Sequence, residues 1–360
     1  MVDLLMVAGG GTGGHIYPAI AIAKEWLARG ERRVVFVGTE YGLEKTLVPA
    51  AGHPLEFVRV GGLKGKSLGQ TVRNIARLPL GFLDAWRLVS RHRPNAVLGV
   101  GGYASGPVLM VAALRGIPTL IHEANAFPGL TNRILARFVR TIAVGFPKAI
   151  EQLGRKAVTT GNPVRSDFFE AAGRPRAAGE RVRILVFGGS QGSKILNDTM
   201  VAALPHLEAS RGRLEIVHQT GRASLDAVKA AYAASSFADA RVVAYLDPMA
   251  AEMAAADLVI SRAGAMTVGE LAAVGRAAIL VPFAAATNDH QEFNARALES
   301  AGGAVVIPER ELSGEHLALT LSELTANPSR LEAMGAAQRR MARPDATGAI
   351  VDLIEGFHRK

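Results

Sequence analysis

The chain has no cysteine among its 360 residues. That excludes disulfides, thiolate nucleophiles and cysteine-ligated zinc or iron–sulfur sites, and it fits a reducing compartment. Long apolar runs are missing too. None approaches the ~20 residues that span a bilayer, and the N-terminus reads as a strand containing Asp3, not as a basic segment followed by an apolar one. A cytosolic or peripheral protein is expected. Aromatic residues make up only 6%, and no nucleic-acid motif accompanies the basic residues, so nucleic acid is not an expected partner. Metal-ligand spacings such as Asp-x-Asp and His-x-x-x-His are absent, so no metal is expected and any departing phosphate must be held by backbone N–H groups and helix dipoles. Acids are in the minority, 32 against 41 Lys and Arg, giving a net charge of +9. Such a balance implies an acidic partner, whether a phosphorylated substrate, anionic lipid or nucleic acid.

What the chain does have is glycine, 39 residues of it, gathered into loops. Gly9-Gly10-Gly11-Thr12-Gly13-Gly14-His15 follows the apolar run Leu4–Ala8 and precedes a helical pattern that starts near Pro18. A strand, a bare turn and a helix N-terminus in that order cradle phosphate, because the main chain can approach the ligand and unpaired N–H groups face it. Gly9, Gly11 and Gly14 fit G-x-G-x-x-G, and Glu40 follows the next apolar run, so a nicotinamide-binding Rossmann domain is one reading. The fingerprint does not call for His15. Taken alone, it is equally a helix cap and a titratable group placed for catalysis.

Apolar runs of strand length alternate with helical segments: Leu4–Ala8, Val34–Val37, Leu55–Val58, Ala96–Val100, Pro118–Ile121 and Thr141–Val144. A second series follows: Ile184–Phe187, Leu214–Val217, Val242–Tyr245, Leu258–Ile260 and Ala278–Val281. The alternation predicts an α/β protein with two doubly wound parallel sheets. Each series opens on a glycine loop, the second being Gly188-Gly189-Ser190-Gln191-Gly192. Between the series, Gly161–Arg165 reads as a hinge and Ala171–Gly179 as a solvated linker, which puts the boundary near Asn162.

Three further loops carry polar groups. Gly99–Pro107, with Tyr103 inside it, follows a strand and is either a ligand loop or a tight turn. Ser261–Glu270 enters a helix, so Ala265 to Glu270 sit where the macrodipole favours an anionic group, while the Glu270 carboxylate suits hydroxyls or simply caps the helix. Asn288–Asn294 is either an ordinary polar N-cap or a set of amides for a base or sugar. On a 3.6-residue period Arg73, Arg77, Arg87 and Arg91 share one face, opposite Ile75, Leu78, Phe82, Leu83 and Trp86. Pro79 and Gly81 are expected to interrupt that helix. Its apolar side then either fills a core or lies on an anionic membrane surface.

Taken together, Gly10–His15, Gly101-Gly102-Tyr103, His122–Asn125, Gly161–Arg165, Gly188–Gly192 and Arg262–Glu270 resemble the peptidoglycan N-acetylglucosaminyltransferases of glycosyltransferase family 28 over nearly the whole chain. The resemblance implies a GT-B fold, with two Rossmann-like domains facing a cleft. Residues 1–161 would form the acceptor- and membrane-binding domain, joined by the C-terminal helix 344–360, and residues 162–343 the donor domain. It implies inverting transfer of N-acetylglucosamine from UDP-N-acetylglucosamine to the C4 hydroxyl of the muramoyl unit of undecaprenyl-diphospho-muramoylpentapeptide, with no cofactor. By motif match, His15 and Glu270 are the catalytic residues, His15 as general base and Glu270 also holding the ribose. The donor would meet Thr12, Gly13, Gly14, Asn125, Arg165, Ser190, Leu246 (facing uracil), Ala265, Met266, Thr267, Val268, Gly269 and Gln291. Tyr103 and His15 would lie on the acceptor side, and Ile75, Phe82 and Trp86 would face the membrane.

The expected partners are therefore UDP-N-acetylglucosamine, a polyprenyl-diphosphate-linked acceptor lipid and the anionic cytoplasmic face of the bacterial inner membrane, together with proteins of cell division or elongation. The chain departs from the family pattern at Ala124, where Gln is common, and at His290, where some members have a second glutamine before Gln291. A family member using another sugar nucleotide and a sugar-nucleotide-binding scaffold are the alternatives.

Overall fold

Successive residues of a strand point to opposite sides, so a run that is apolar throughout needs cover on both faces. The computed structural model, which describes residues 3–61, 68–172, 181–286 and 289–357, satisfies that need twice. The first sheet is parallel, with order β3-β2-β1-β4-β5-β6-β7. Its strands are β1 (Asp3–Ala8), β2 (Arg32–Gly38), β3 (Leu55–Phe57), β4 (Ala96–Gly99), β5 (Thr119–Glu123), β6 (Thr141–Val144) and β7 (Ala157–Thr159). Along β1, Leu4, Met6 and Ala8 pack with Ala85, Val89, Val108 and Leu109 on one face. Leu5 and Val7 pack on the other, with Ile16, Ile22, Trp26 and, from the far end of the chain, Ile350, Val351 and Ile354.

The second sheet, also parallel, has order β10-β9-β8-β11-β12-β13, from β8 (Val182–Phe187), β9 (Leu214–Gln219), β10 (Arg241–Val243), β11 (Leu258–Ser261), β12 (Ala277–Leu280) and β13 (Ala304–Val306). The chain divides into two compact units, Met1–Val164 with Asp345–Lys360, and Arg165–Pro344. Helix α15 (Ala346–Glu355) closes the first unit, where Glu355 pairs with Arg32 at 2.8 Å and Asp352 with Arg29 at 2.5 Å.

Several sequence expectations are corrected. Helix α1 (Gly13–Ala28) starts inside the glycine loop, five residues before Pro18. Pro18 falls in the second turn, so the helix forgoes the bond an N–H there would make to the Gly14 carbonyl, close to its N-terminal end. The three-residue edge strands β7 and β13 have no counterpart among the apolar runs read from the sequence. Ala171 ends in helix α7 (Ser166–Ala172) and not in a loop, and residues 173–179 of the expected linker lie outside the described residues.

Helix α3 (Leu68–His92) runs unbroken through Pro79 and Gly81. Gly81 is there for contact, since a Cβ would collide with Val60 and lie 3.2 Å from the Arg59 carbonyl oxygen. The face that packs inward is therefore small: Gly81, Ala85, Leu88 and Val89 are buried. Phe82, Leu83 and Trp86 stay exposed, beside Arg87 and Arg91, while the side chain of Ile75 lies outside the described residues.

Ile350 is fully buried in the first unit despite lying far along the chain. Ile350→Ala is expected to destabilise that unit by about 2–5 kcal/mol. Both tryptophans, Trp26 and Trp86, belong to this unit, so urea titration followed by tryptophan fluorescence reads the loss directly.

Candidate active site

Strand order reverses between β1 and β4 in the first sheet and between β8 and β11 in the second. Loops leaving such a pair diverge and open a crevice at the carboxyl edge, the usual ligand position in doubly wound sheets. The glycine loops occupy these points. In the first unit the Gly10 N–H donates to the Gly101 carbonyl at 3.3 Å, and a Cβ on Gly102 (φ +82) would strike the Gly10 carbonyl oxygen. Ser105 of α4 (Ser105–Leu114) ties the pair from beneath, its hydroxyl donating to the carbonyls of Ala8 at 2.8 Å and Gly101 at 2.9 Å.

His15 lies in the first turn of α1, its imidazole against the bare backbone of Gly101, where a Cβ would be 2.7 Å from its Cε1. Thr12 is the N-cap of that helix, so His15 is not the cap. His122, at the end of β5, is buried near His15, the Gly161 backbone and the Asn162 side chain. Its pKa is pushed down to about 4, chiefly by burial, with His15 contributing, so this ring is neutral. Tyr103 is exposed beside Gly102, and Thr12 and Gly14 are exposed in the loop. Glu40, the acid that a nicotinamide site would use, is exposed. The buried acid after β2 is Glu44, which opens helix α2 (Glu44–Ala50) and faces the glycine loop.

Asn125 is held by Glu123, whose Oε1 accepts from the Asn125 N–H at 2.9 Å and from its Nδ2 at 3.1 Å. The other carboxylate oxygen accepts from Gly129 N–H and Asn132 Nδ2. Ala124, the first departure from the family pattern, is buried, and its carbonyl accepts from Asn162 Nδ2 at 2.9 Å.

In the second unit the loop carrying exposed Ser190 lies flat on another stretch of main chain. A Cβ on Gly192 would strike the Thr220 carbonyl oxygen, and one on Gly221 that of Gln191. Gln219 joins this loop to the segment that carries Leu246, donating Nε2 to the Gly189 carbonyl at 2.8 Å and accepting the Leu246 N–H at 3.3 Å. The Leu246 side chain is buried, so that segment presents backbone. Below, His218 bridges Asn197 of α8 (Lys194–Ala203) and Tyr232 of α9 (Leu225–Ala233), its pKa pushed down to about 4 by burial.

Helix α11 (Ala265–Val274) begins at Gly264 as N-cap, so Ala265, Met266 and Thr267 form its first turn, with Val268, Gly269 and Glu270 next. Arg262 braces the loop before it. Its guanidinium donates to Ser193 Oγ and to the carbonyls of Val281 and Pro282, and pairs with Glu309 at 2.5 Å. Gln291 of α12 (His290–Ser300) accepts two backbone N–H groups on Oε1, from Ala263 at 3.2 Å and Phe283 at 3.0 Å. Both lone pairs are thereby used, so the end it offers a ligand is the donor end. Asn288 lies outside the described residues.

Glu270 is half-buried near Arg165 and Asp167, which pair with each other at 3.2 Å. Burial pushes its carboxyl up to about 7; Arg165 opposes the shift and Asp167 reinforces it. His15 and Tyr103 thus lie by the loops of the β1/β4 switch point and Ser190 and Ala265–Glu270 by those of β8/β11, while Asn125, Leu246 and Gln291 follow β5, β10 and β12. The sequence reading missed the braces, Glu44, Glu123, Gln219 and the contacts of Arg262, whose only mark in sequence is a polar residue beside a glycine loop.

Residues 5–144 match the glycosyltransferase family 28 N-terminal domain, and residues 183–350 the family 28 C-terminal domain. A Myxococcus xanthus protein is 46% identical, covering 97% of this chain and 91% of its own length. One from Anaeromyxobacter sp. (strain K) is 47% identical with the same coverage. Both are named UDP-N-acetylglucosamine–N-acetylmuramyl-(pentapeptide) pyrophosphoryl-undecaprenol N-acetylglucosamine transferase. The chain belongs to glycosyltransferase family 28. The crystal structure of Acinetobacter baumannii MurG matches it with a TM-score of 0.83 at 32% identity, covering 98% of this chain and 99% of that one. The two Rossmann-like units of this family 28 member thus have the GT-B fold, and the nicotinamide reading falls away.

The raised Glu270 pKa has a sign that can be measured. A carboxyl held near 7 in the fold, against about 4.5 unfolded, withdraws stability as pH rises from 4.5 to 7. Glu270→Gln is expected to raise the melting temperature at about pH 8 and to leave it unchanged at about pH 4. A scan of melting temperature against pH for the two proteins checks this.

Proposed function

We propose that this enzyme transfers N-acetylglucosamine from UDP-N-acetylglucosamine to the C4 hydroxyl of the muramoyl unit of undecaprenyl-diphospho-muramoylpentapeptide, with inversion. The observation that carries the reading is 46–47% identity over 97% of the chain to relatives named for this transfer. The acceptor hydroxyl attacks the anomeric carbon as its bond to the UDP oxygen breaks, and one proton must leave the nucleophile. His15, whose imidazole offers a ring nitrogen as base, takes that proton. Its seat on the Gly101 backbone supports the role, since a ring packed on main chain keeps a fixed position.

In the second unit the first turn of α11 suits the departing diphosphate, because its N–H groups and dipole favour negative charge. Arg165 adds a cation there, and Glu270 takes the ribose hydroxyls as a carboxylate. Gln291 donates to the sugar, Ser190 and the Leu246 backbone meet the nucleotide, and Thr12, Gly13, Gly14 and Asn125 complete the donor contacts from the first unit.

A lipid-borne acceptor places the work at the cytoplasmic face of the inner membrane. No helix among the described residues is long and apolar enough to cross it. What supports surface binding is the exposure of Phe82, Leu83 and Trp86 beside Arg87 and Arg91 on α3. Consumption of the product in wall growth makes proteins of cell division and elongation its expected partners.

With a short-chain lipid acceptor, UDP release is expected from UDP-N-acetylglucosamine well above that from UDP-glucose or UDP-galactose; equal rates on all three would point to another family 28 activity. His15→Ala is expected to lower turnover about 100-fold or more while UDP affinity stays the same, and near-normal turnover would end the general-base role. For the membrane reading, Phe82→Asp with Trp86→Asp should weaken sedimentation with anionic vesicles about ten-fold, and added salt should weaken wild-type binding.

A further inference from the structure

Glu44 is completely buried, yet among the described residues no cation pairs with it. Three donors satisfy it instead. Oε2 accepts the Gly11 N–H at 2.8 Å, and Oε1 accepts the Thr39 N–H at 2.9 Å and the Thr39 hydroxyl at 2.8 Å. Around the carboxylate stand Gly10, Gly38 and Gly42, and a Cβ on any of these would collide with it. The β1–α1 and β2–α2 connections are therefore both bare where they meet this one side chain. A buried carboxylate with no cation is a costly way to fill space, and an apolar residue would fill it at lower cost.

What the carboxylate secures is Gly11. That residue has φ +96, is exposed, and has nothing within 4 Å of where a Cβ would be. Packing does not impose its conformation. Its N–H is tied to Glu44 and its carbonyl accepts the Leu43 N–H at 3.4 Å, so both of its peptide groups are fixed by the segment that opens α2. Gly11 leads directly into Thr12 and the first turn of α1, which carries His15.

We propose that Glu44 is a positioning residue for the reaction: by clamping the Gly11 amide from below, it sets the course of the β1–α1 loop and thereby the place of Thr12, Gly13, Gly14 and His15. The proposal rests on the reading that His15 acts in the transfer. Glu44 touches no reacting atom; it holds the backbone that presents them.

Glu44→Gln keeps the shape but offers one oxygen where two are needed, and its NH2 faces an N–H donor. In the variant, hydrogen–deuterium exchange is expected to speed up over residues 9–16 and stay unchanged in the second unit. Turnover with UDP-N-acetylglucosamine and a short-chain lipid acceptor should fall about ten-fold with UDP affinity preserved, because misplacing a reacting group costs rate and not donor binding. Combined with His15→Ala, the added loss should be much smaller than ten-fold, since both changes remove one function.

Unchanged exchange over residues 9–16, turnover within about two-fold of wild type, or losses that multiply fully with His15→Ala would each overturn the proposal. Thr39→Val removes one of the three donors without unpacking the carboxylate, so it carries the same measurements, with smaller expected effects, if Glu44→Gln fails to fold. Exchange is read without substrate, so a wild-type protein inactive on UDP-N-acetylglucosamine would sink the functional reading separately from the clamp.

Discussion

Main chain pressed against main chain is the constraint on which the rest of this structure depends. At the β1/β4 switch point the Gly10 carbonyl occupies the space a Cβ on Gly102 would need, and between the loops that follow β8 and β9 the carbonyls of Thr220 and Gln191 do the same for Gly192 and Gly221. Two crossing loops can come this close only without side chains. The closeness leaves main chain, not side chains, at these crossings. It also explains why α1 begins at Gly13, since the chain turns into the helix as soon as it has cleared the crossing.

A bare loop has no side chains with which to hold itself, and here the holding is done from below by buried polar groups of neighbouring elements. In the first unit two carboxylates do this, Glu44 on Gly11 and Glu123 on Asn125 and Gly129. In the second unit the braces are the amides of Gln219 and Gln291 and the guanidinium of Arg262, its charge met by Glu309. The difference follows the partners: in the first unit only N–H groups and the Asn side-chain amides need an acceptor, whereas in the second Gln219 and Gln291 accept N–H groups while Gln219 and Arg262 also donate to the carbonyls of Gly189, Val281 and Pro282. Buried His122 and His218 are neutral for the same economy of charge, because an imidazolium in either place would lack water and a carboxylate.

Helix α3 shows how packing redistributes a pattern that sequence presents as one stripe. Periodicity groups the large apolar residues together and leaves a core and a membrane surface both open to them. The sheet accepts the small ones instead, Gly81 and Ala85 with Leu88 and Val89, because the helix must lie close to the Arg59–Val60 backbone. Phe82, Leu83 and Trp86 are left on the outer side, among arginines, where an anionic lipid surface gives them a place.

The sequence by itself determined the strands of both sheets apart from β7 and β13, the two glycine loops, and the polar positions His15, Asn125, Glu270 and Gln291, because period-two apolar runs and glycine clusters are local signals. It also carried the family, through six motifs in fixed order. Only the tertiary structure decided that Glu44 turns under Gly11, that Gln291 offers its donor end and that Glu270 titrates near 7. Each of these depends on which distant atoms share a small dry space, and such sharing leaves no trace in the spacing of residues along a chain.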